Sequence, residues 1–460
     1  MKIRMFILVA GIALLTTPFA YAERATTLLW SFQGNGNLQA IAACPDIDGD
    51  NGTDIVFEGY ENGPSGVNHV FAIRGNSSGT GQVLWSARPI GGASSGGGYG
   101  DNCLRLGPDL NGDGFPEMLL GSAWGGRTAY ALNGLTGATV WGFDTYTHYG
   151  TNSGWIYAMD NLGSDLTGDG VPEIVFASGS YNDRVHCVNG ATGALVWVYA
   201  GGDAFFDVLS CQDVNNDGKR DVVAALGDNS PVSPRVIALS GANGGILWQR
   251  PVSGTIWNLA FVSDVDGDGV RDLSIAQWGS LVQILSGRTG AILASVASAQ
   301  QQRVATLDDV NGDAKQDLVF GYNTTSGIKV LDGATGATIW SCPTSDWCWA
   351  VDRIADCTGD GVNDVVAGDF DGIVYLFNGV TGSLEWSWLN PTGDKIKTIR
   401  GVPDLNGNGA PDVVAGTQLL LGTPTGGDVY ALEGNTTPVS VPSPGLVVGW
   451  RLGEAWPNPF

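Results

Sequence analysis

Short apolar runs alternate with Gly- and Asp-rich segments along most of the chain. The run at 258–262, for example, precedes one acidic segment, and a second run at 117–121 follows another. Runs of four to six apolar residues bounded by turn-forming residues are typical of β-strands joined by tight connections. The 70 glycines among 460 residues fit such connections, because tight turns need positive φ angles. The pattern therefore predicts an all-β protein.

One nine-residue acidic pattern recurs eight times, at intervals of 45 to 63 residues. These intervals match the length of a four-stranded propeller blade. We therefore predict an eight-bladed β-propeller over 23–434, between a signal peptide at 1–22 and a linker with a tail at 435–460. The first residues of the repeats are Asp46, Asp109, Asp165, Asp213, Asp264, Asp309, Asp356 and Asp404.

Each repeat contains a second turn, of the form N-G-x-T-G, which leads into a strand that carries Trp. Asn133 to Gly137 followed by Trp141 is one example. Equivalent tryptophans follow in later repeats, but in the fifth repeat Ser295 is assigned to that position. We expect this turn to join the third and fourth strands of a blade.

The two ends of the repeat array complement each other. The eighth repeat stops after its third strand at 429–432, while 27–31 forms a strand-like segment with no repeat before it. We predict that this N-terminal segment supplies the missing fourth strand of the last blade. Closure of this kind leaves no long exposed sheet edge. The alternative is two unrelated end segments.

The acidic loops have the composition of calcium sites. Oxygen-bearing side chains occupy positions 1, 3, 5 and 9, and calcium takes six to eight oxygen ligands. The alternative is a set of solvated Asx turns without metal. The predicted ligands are Asp46, Asp48, Asp50 and Asp54; Asp109, Asn111, Asp113 and Glu117; Asp165, Thr167, Asp169 and Glu173; Asp213, Asn215, Asp217 and Asp221; Asp264, Asp266, Asp268 and Asp272; Asp309, Asn311, Asp313 and Asp317; Asp356, Thr358, Asp360 and Asp364; Asp404, Asn406, Asn408 and Asp412.

Charge supports the same interpretation. The formal net charge is −24, and these positions hold more than half of the 46 acidic residues. Carboxylates packed into one short loop repel one another unless a cation lies among them, and up to eight calcium ions would cancel most of the net charge. Such a surface disfavours nucleic acid as a partner. The eighth loop has only two carboxylates, so we expect it to bind calcium most weakly.

Two repeat families resemble this sequence. The D-x-[DN]-x-D-G-x-x-[DE] loops resemble FG-GAP or VCBS repeats, which are integrin-α-like and imply calcium binding. The G-x-T-G-x-x-x-W strands resemble PQQ-like propeller repeats, and the two together cover roughly 28–434. The P-N-P-F ending at Phe460 resembles the opening of a type IX secretion sorting domain, which implies a bacterial exported protein, secreted or held at the cell surface.

The N-terminal segment has the features of an export signal. Lys2 and Arg4 precede an apolar run, and 20–22 forms a small-x-small cleavage site. A membrane anchor is the alternative, but the run is short for a bilayer span. We find no membrane span in the mature chain and expect a monomer. Disulfides are expected in an exported chain with seven cysteines, the candidate pairs being Cys342–Cys348, Cys187–Cys211 and Cys44–Cys103.

The ligand site is expected on the propeller face opposite the acidic loops, since related propellers bind ligands there. Aromatic residues on that side could stack on sugars or on aromatic side chains, or could simply pack between blades. The candidates are Tyr146, His148, Tyr149, Trp155, Trp257, Trp347 and Trp349.

No catalytic motif is found, and the three histidines are widely separated. We therefore favour a calcium-stabilised binding or adhesion module for an extracellular glycan or protein ligand. Three alternatives stay open. They are a polysaccharide lyase or glycosidase, a PQQ-dependent dehydrogenase (although the adjacent Cys-Cys pair of many such enzymes is missing), and a scaffold in protein assembly.

Overall fold

The computed structural model describes residues 25–61, 66–89, 100–123, 126–150, 154–227, 233–323, 327–418 and 427–434. The predicted signal peptide and the C-terminal tail with its sorting-like ending lie outside these residues. In the described part of the chain, no helix has the length and apolar character needed to cross a bilayer.

The described residues form eight antiparallel sheets arranged as the blades of a β-propeller, which confirms the predicted fold. The chain begins with β1 (Leu28–Gln33). Blade one contains β2 (Asn37–Cys44), β3 (Asp54–Glu61), β4 (Val70–Ile73) and β6 (Val83–Ala87), with the short β5 (Gly79–Thr80) before its last strand. Blade two contains β7 (Leu104–Leu106), β8 (Met118–Gly121), β9 (Thr128–Leu132) and β10 (Thr139–Asp144).

Blades three to five follow the same four-stranded plan. Blade three contains β11 (Trp155–Asn161), β12 (Ile174–Gly179), β13 (Arg184–Val188) and β14 (Leu195–Ala200). Blade four contains β15 (Phe205–Ser210), β16 (Val222–Leu226), β17 (Arg235–Leu239) and β18 (Ile246–Pro251). Blade five contains β19 (Ile256–Phe261), β20 (Leu273–Gln277), β21 (Leu281–Leu285) and β22 (Ile292–Ala297).

Blades six to eight complete the ring. Blade six contains β23 (Gln301–Thr306), β24 (Leu318–Tyr322), β25 (Ile328–Leu331) and β26 (Thr338–Cys342). Blade seven contains β27 (Cys348–Ile354), β28 (Asp364–Asp369), β29 (Ile373–Phe377) and β30 (Leu384–Leu389). Blade eight contains β31 (Lys395–Val402), β32 (Asp412–Gln418) and β33 (Asp428–Glu433). A 3-10 helix (Asp101–Cys103) and the helix α1 (Thr145–Tyr149) lie in connections between blades.

Strand β1 closes the ring as predicted. It pairs antiparallel with β33, with Ser31 opposite Tyr430, and so becomes the fourth strand of blade eight. On its other side β1 pairs in parallel with the short β5 of blade one. The first and last parts of the array are therefore joined by a continuous hydrogen-bonded sheet.

Eight apolar clusters form most of the core, each between two neighbouring blades, and a smaller ninth cluster contains Tyr157, Ala204 and Phe206. One contains Trp197 and Phe205 from blades three and four, and another contains Trp30 and Phe57 from blades eight and one. The others follow in order around the ring. The second strand of each of blades two to seven is thus buried along its whole length, on both faces of the sheet, which explains its continuous apolar run.

A tryptophan links seven of the eight blade interfaces. Its indole N–H donates to the backbone oxygen of a turn glycine in the next blade, as from Trp141 to Gly190 at 2.6 Å. The same contact runs from Trp30, Trp85, Trp197, Trp248, Trp340 and Trp386. The ring lies against the Thr-Gly glycine of that blade. A Cβ on Gly137 would lie 2.4 Å from Trp85, and its φ of 71° also disfavours any side chain.

The interface between blades five and six departs from this rule, and the structure corrects the predicted register there. Trp248 pairs with Ala238 in blade four, and the equivalent residue of blade five is Ala294, opposite Ile284. The residue in place of tryptophan is therefore Ala294, and Ser295 lies one position further along the strand. Val296 fills the space instead, 3.2 Å from the position of a Cβ on Gly336.

The expected disulfides do not form. All seven cysteines are free thiols. The members of each expected pair lie in different blades, where they pack into the apolar clusters, and Cys342 donates to the backbone oxygen of Gly382. Burial raises the pKa of Cys44 to about 12, so the thiolate needed for disulfide exchange is suppressed.

Candidate functional site

The eight acidic loops all join the first and second strands of their blades, as expected. Their first Asp orders the loop by accepting backbone N–H groups. In the fifth loop Asp264 accepts from Gly267 at 2.6 Å and from Gly269 at 2.8 Å. These bonds lower the pKa of Asp264, because they stabilise its carboxylate form. The same turn forms without glycine at Asn51 and Ala314, which adopt φ angles of 69° and 67°.

The ninth position of the loop has a structural role that the sequence analysis did not identify. Asp221 is fully buried and accepts from Val214 in its own loop at 2.7 Å and from Gly241 in the second turn at 2.9 Å. The corresponding Asp residues of blades one, five, six, seven and eight make the same pair of bonds. This carboxylate therefore ties the two turns of one blade together.

Burial also raises the pKa of the Asp carboxylates at the ninth position, since the charged form loses solvation. The pKa of Asp317 rises to about 6, and nearby Asp313 and Asp332 add to the shift. The pKa of Asp412 rises to about 7, with Glu433 contributing. A cation beside such carboxylates would favour their charged form.

The residue before the second-turn glycine lies next to the acidic loop and changes its charge. In blade one this residue is Arg74, which forms ion pairs with Asp48 and Asp50. In blade eight it is Glu433, which accepts from the side-chain amides of Asn406 and Asn408. One of the two loops with four carboxylates thus has a basic neighbour, and the loop with the fewest carboxylates gains an acid from outside the nine-residue pattern.

Three loops bring carboxylates close enough for one shared ion. In each, one oxygen from each of three acids lies within 4.8 Å of the others. Calcium–oxygen distances of about 2.3–2.6 Å are compatible with that spacing. The groups are Asp46, Asp48 and Asp50; Asp109, Asp113 and Glu117; and Asp264, Asp266 and Asp272. The residues present therefore fit a calcium ion in at least these loops.

A second candidate site lies at the opposite end of the innermost strands, where they begin. A cavity of about 170 Å³ opens there, and we call it the central mouth. Seven innermost strands contain a β-bulge at this level, identified by the register shifts in their pairing. The bulged residues all line the mouth: Gln39, Tyr157, Phe206, Trp257, Gln302, Trp349 and Lys397.

Bulges explain why these side chains face the mouth. An extra residue in one strand interrupts the ladder, bends the strand and redirects a side chain, which is why bulges occur beside functional sites. Blade two contributes Asn102, from the 3-10 helix, at the same level. The central mouth is therefore built from one position per blade.

The floor of the mouth is an ion-paired cluster. Asp101 accepts from Arg303 at 3.1 Å and from Arg400 at 3.5 Å, which joins the 3-10 helix to blades six and eight. Burial alone would raise the pKa of Asp101, but the two guanidinium groups hold it below its ordinary value. Asp101, Asn102 and Arg303 also line a second cavity of about 420 Å³ further along the channel, so they separate the two spaces.

The seven predicted ligand residues are distributed unevenly. Trp257 and Trp349 line the mouth. Trp155 lies 6.1 Å from Tyr157 and supports the lining from behind, and Trp347 is 44% exposed outside it. Tyr146, His148 and Tyr149 belong to α1, where His148 stacks on Phe143 at 3.9 Å and Arg184 lies 4.3 Å from the Tyr149 ring.

The other residues of the lining were not predicted from the sequence. Phe206, Gln302 and Lys397 did not stand out, because nothing in their local sequence indicates a bulge. A usable signal existed nevertheless: the lining residue stands seven positions before the first Asp of its loop in all blades except the third, where Tyr157 stands eight before Asp165. An alignment of the eight repeats on their acidic loops would therefore have placed these lining residues in one column, apart from Tyr157.

Comparison with known proteins supports part of the expected relationship. Residues 125–312 match the PQQ_2 family model, described as outer membrane protein assembly factor BamB. These residues are repeats of the PQQ/BamB type. No curated protein sequence matches the chain.

Several solved structures have a fold similar to that of this chain, including its PQQ/BamB-type repeats. They include quinohemoprotein alcohol dehydrogenase from Comamonas testosteroni (TM-score 0.61, 12% identity, 93% of this chain and 79% of that one). BamB from Moraxella catarrhalis has a TM-score of 0.51 at 16% identity, covering 89% of this chain and 98% of that one. The designed protein Ika8 has a TM-score of 0.57 at 15% identity, covering 88% and 99%. These identities establish a common fold alone.

Proposed function

We propose that this chain is a secreted or cell-surface propeller, stabilised by calcium, which acts as a binding or adhesion module for a glycan or protein ligand at its central mouth. The observation that carries the proposal is the ring of bulged residues, because seven blades direct one side chain each into the same cavity.

The aromatic content of the mouth favours binding. Phe206 and Trp257 stack at 4.6 Å, and Tyr157 meets Phe206 edge-on at 4.6 Å. Trp278 lies 4.9 Å from Trp257 and extends the same surface. Trp257 and Trp278 are half-buried, and Trp257 rests on the buried Tyr157 and Phe206. Rings that are fixed in this way give a ligand contact area at low entropic cost.

The same lining disfavours acid–base catalysis as the main activity. Among the described lining residues, Asp101 is the one carboxylate and there is no histidine. Asp101 is held ionised by Arg303 and Arg400, so it is a poor proton donor near neutral pH. A binding role therefore accounts for the chemistry of the mouth better than hydrolysis or elimination does.

Calcium has a structural role in this proposal. The residues at positions 1, 3, 5 and 9 of each loop would hold it, and the ninth would also keep the two turns of the blade together. An ion there would offset repulsion among the loop carboxylates. The loops lie at the far ends of the innermost strands, so calcium would stabilise the blades without touching the ligand.

Binding of labelled full-length protein to glycan and extracellular-protein arrays tests the proposal. We expect a ligand whose affinity falls at least tenfold in Trp257→Ala and in Trp349→Ala. The matched control is Trp347→Ala, since that tryptophan lies outside the lining. Equal binding by all variants would place the ligand elsewhere. Turnover of a polysaccharide, or dye reduction after addition of PQQ, would favour one of the enzyme alternatives instead.

A further inference from the structure

The ring of bulged residues is chemically divided into two arcs. Tyr157, Phe206 and Trp257, from blades three to five, form an aromatic arc. Gln302, Trp349, Lys397 and Gln39, from blades six to one, form a polar arc that includes a cation. A ligand that fills the mouth therefore meets aromatic side chains on one side and hydrogen-bonding groups with a positive charge on the other.

The positive charge on the polar arc is unusual for this chain. Lys397 lies 4.1 Å from the centre of the Trp349 ring, and Lys395 lies 4.4 Å from that of Phe370. Both lysines belong to β31, in a chain with 22 basic residues and a net charge of −24. A local excess of cations attracts anionic ligands to this part of an otherwise acidic protein.

Three N–H groups of residues that line the mouth also lack an acceptor. These are Nε1 of Trp257, Nε1 of Trp349 and Nε of Arg303, none of which has a hydrogen-bond partner among the described residues. Buried donors are nearly always satisfied in proteins, by protein groups, water or a ligand. These three donors come from blades five, six and seven, and a ligand that satisfies them must supply hydrogen-bond acceptors.

The size of the cavity limits what can enter. A cavity of about 150 Å³ is known to accept a single benzene ring, so the 170 Å³ of the mouth suits one six-membered ring. The ligand that meets all these conditions is ring-sized, anionic and rich in oxygen acceptors. Carboxylates satisfy lysine and guanidinium donors well, because such hydrogen bonds are charge-assisted.

We propose that the central mouth binds one acidic sugar residue of a glycan, with its ring against the aromatic arc and its carboxylate on the Lys397 side. This inference rests on the proposed binding function and specifies its ligand class. Hydroxyl oxygens of the sugar supply acceptors to the indole N–H groups, and the glutamine amides serve the remaining hydroxyls.

Calorimetry with one uronate oligosaccharide, before and after reduction of its carboxylates to alcohols, tests the proposal on the full chain with calcium present. We expect reduction to weaken binding at least tenfold. Lys397→Gln should weaken binding of the acidic form by a similar factor and leave the reduced form unchanged. Lys329→Gln is the control, because Lys329 also lies over a ring, 5.1 Å from the centre of Tyr322, but outside the mouth.

Equal affinity for the acidic and reduced sugars would overturn the acidic-ligand inference. If the tryptophan variants still lost that binding, the proposed binding function would stand. Binding of an acidic peptide or a simple aromatic acid in preference to every uronate tested would also overturn it. Thermal unfolding of each variant checks that the fold is retained, so that a loss of affinity reports on the mouth.

Discussion

The indole N–H of Trp30 donates to the backbone oxygen of Gly75 at 2.8 Å, although the two residues belong to opposite ends of the blade array. Trp30 lies in β1, the strand that completes blade eight, and Gly75 lies in the second turn of blade one. The first strand of the chain therefore closes the ring twice, through its pairing with β33 and through its tryptophan.

Loss of the Trp30 side chain should destabilise the closed ring. Trp30 is fully buried between blades eight and one, so Trp30→Ala removes both packing and a hydrogen bond. We expect about 3–5 kcal/mol less stability. Trp30→Phe keeps most of the packing and should lose roughly 1–2 kcal/mol. Urea unfolding measures both, with the exposed Trp347→Ala as control, and equal stability of Trp30→Ala and wild type would contradict the closure role.

Removal of calcium should lower the melting temperature, because an ion bound to the native state alone stabilises it by mass action. Mass spectrometry should find several bound calcium ions, and the eighth loop should release its ion first as chelator strength rises. Glu433→Gln should lower occupancy of that loop further, since Glu433 adjoins Asn406 and Asn408. Glu385→Gln serves as control. No bound metal and no thermal shift would leave the loops as solvated turns.

Asp221 should contribute to stability even without metal. Its two oxygens accept backbone N–H groups from both turns of blade four, and Asn can accept only one of them. We expect Asp221→Asn to cost about 1–3 kcal/mol, measured by urea unfolding in excess chelator. An unchanged urea midpoint of unfolding in Asp221→Asn under those conditions would show that the hydrogen bonds between Asp221 and the two turns do not stabilise the fold.

His186 should make the protein sensitive to mild acid. It is fully buried and stacked on Phe176 at 4.4 Å, and burial, together with Arg184 and His148, lowers its pKa to about 3. The unfolded chain binds a proton near pH 6.5 and the folded chain does not, so stability is lost as the pH falls from about 6.5 towards 3.

Replacement of that histidine isolates its contribution. At pH 5 the expected loss is about 2 kcal/mol relative to pH 7, and His186→Phe should remove it. Urea midpoints at the two pH values, measured in excess chelator, give the difference. The exposed His148→Phe removes only a smaller contribution to the shift of the His186 pKa, so most of the acid loss should remain in that variant. An equal acid loss in His186→Phe and wild type would assign the sensitivity to other groups.

The sequence predicted the architecture well because repetition specifies it. The spacing of the eight acidic loops predicted the number of blades. The strand-like segment at 27–31, which has no repeat before it, predicted that the N-terminal strand completes the last blade, as β1 does. The position of tryptophan in blade five was misassigned by one residue. The sequence itself gives the correct position, because the tryptophan of other repeats stands four residues after the Thr-Gly glycine, and the residue four after Gly290 is Ala294.

The candidate site was predicted less completely than the fold. Trp257 and Trp349 were recognised as large aromatic residues near the start of innermost strands, and both line the mouth. Gln302 and Lys397 were not, since their importance arises from where the bulge directs them. The predicted cysteine pairs were wrong, and these cysteines are free thiols that pack into the apolar clusters between blades.

The interface between blades five and six, where Ala294 and Val296 stand in place of an indole, makes the ring mechanically unequal around its circumference. A closed ring of blades under mechanical load should separate first at its weakest interface, and this interface lacks the indole–carbonyl hydrogen bond that the other seven interfaces share. We expect the molecule, when pulled or heated, to part first at this seam. The seam lies away from blade eight, where the first and last strands of the array are joined, so the ring can open without separating that junction.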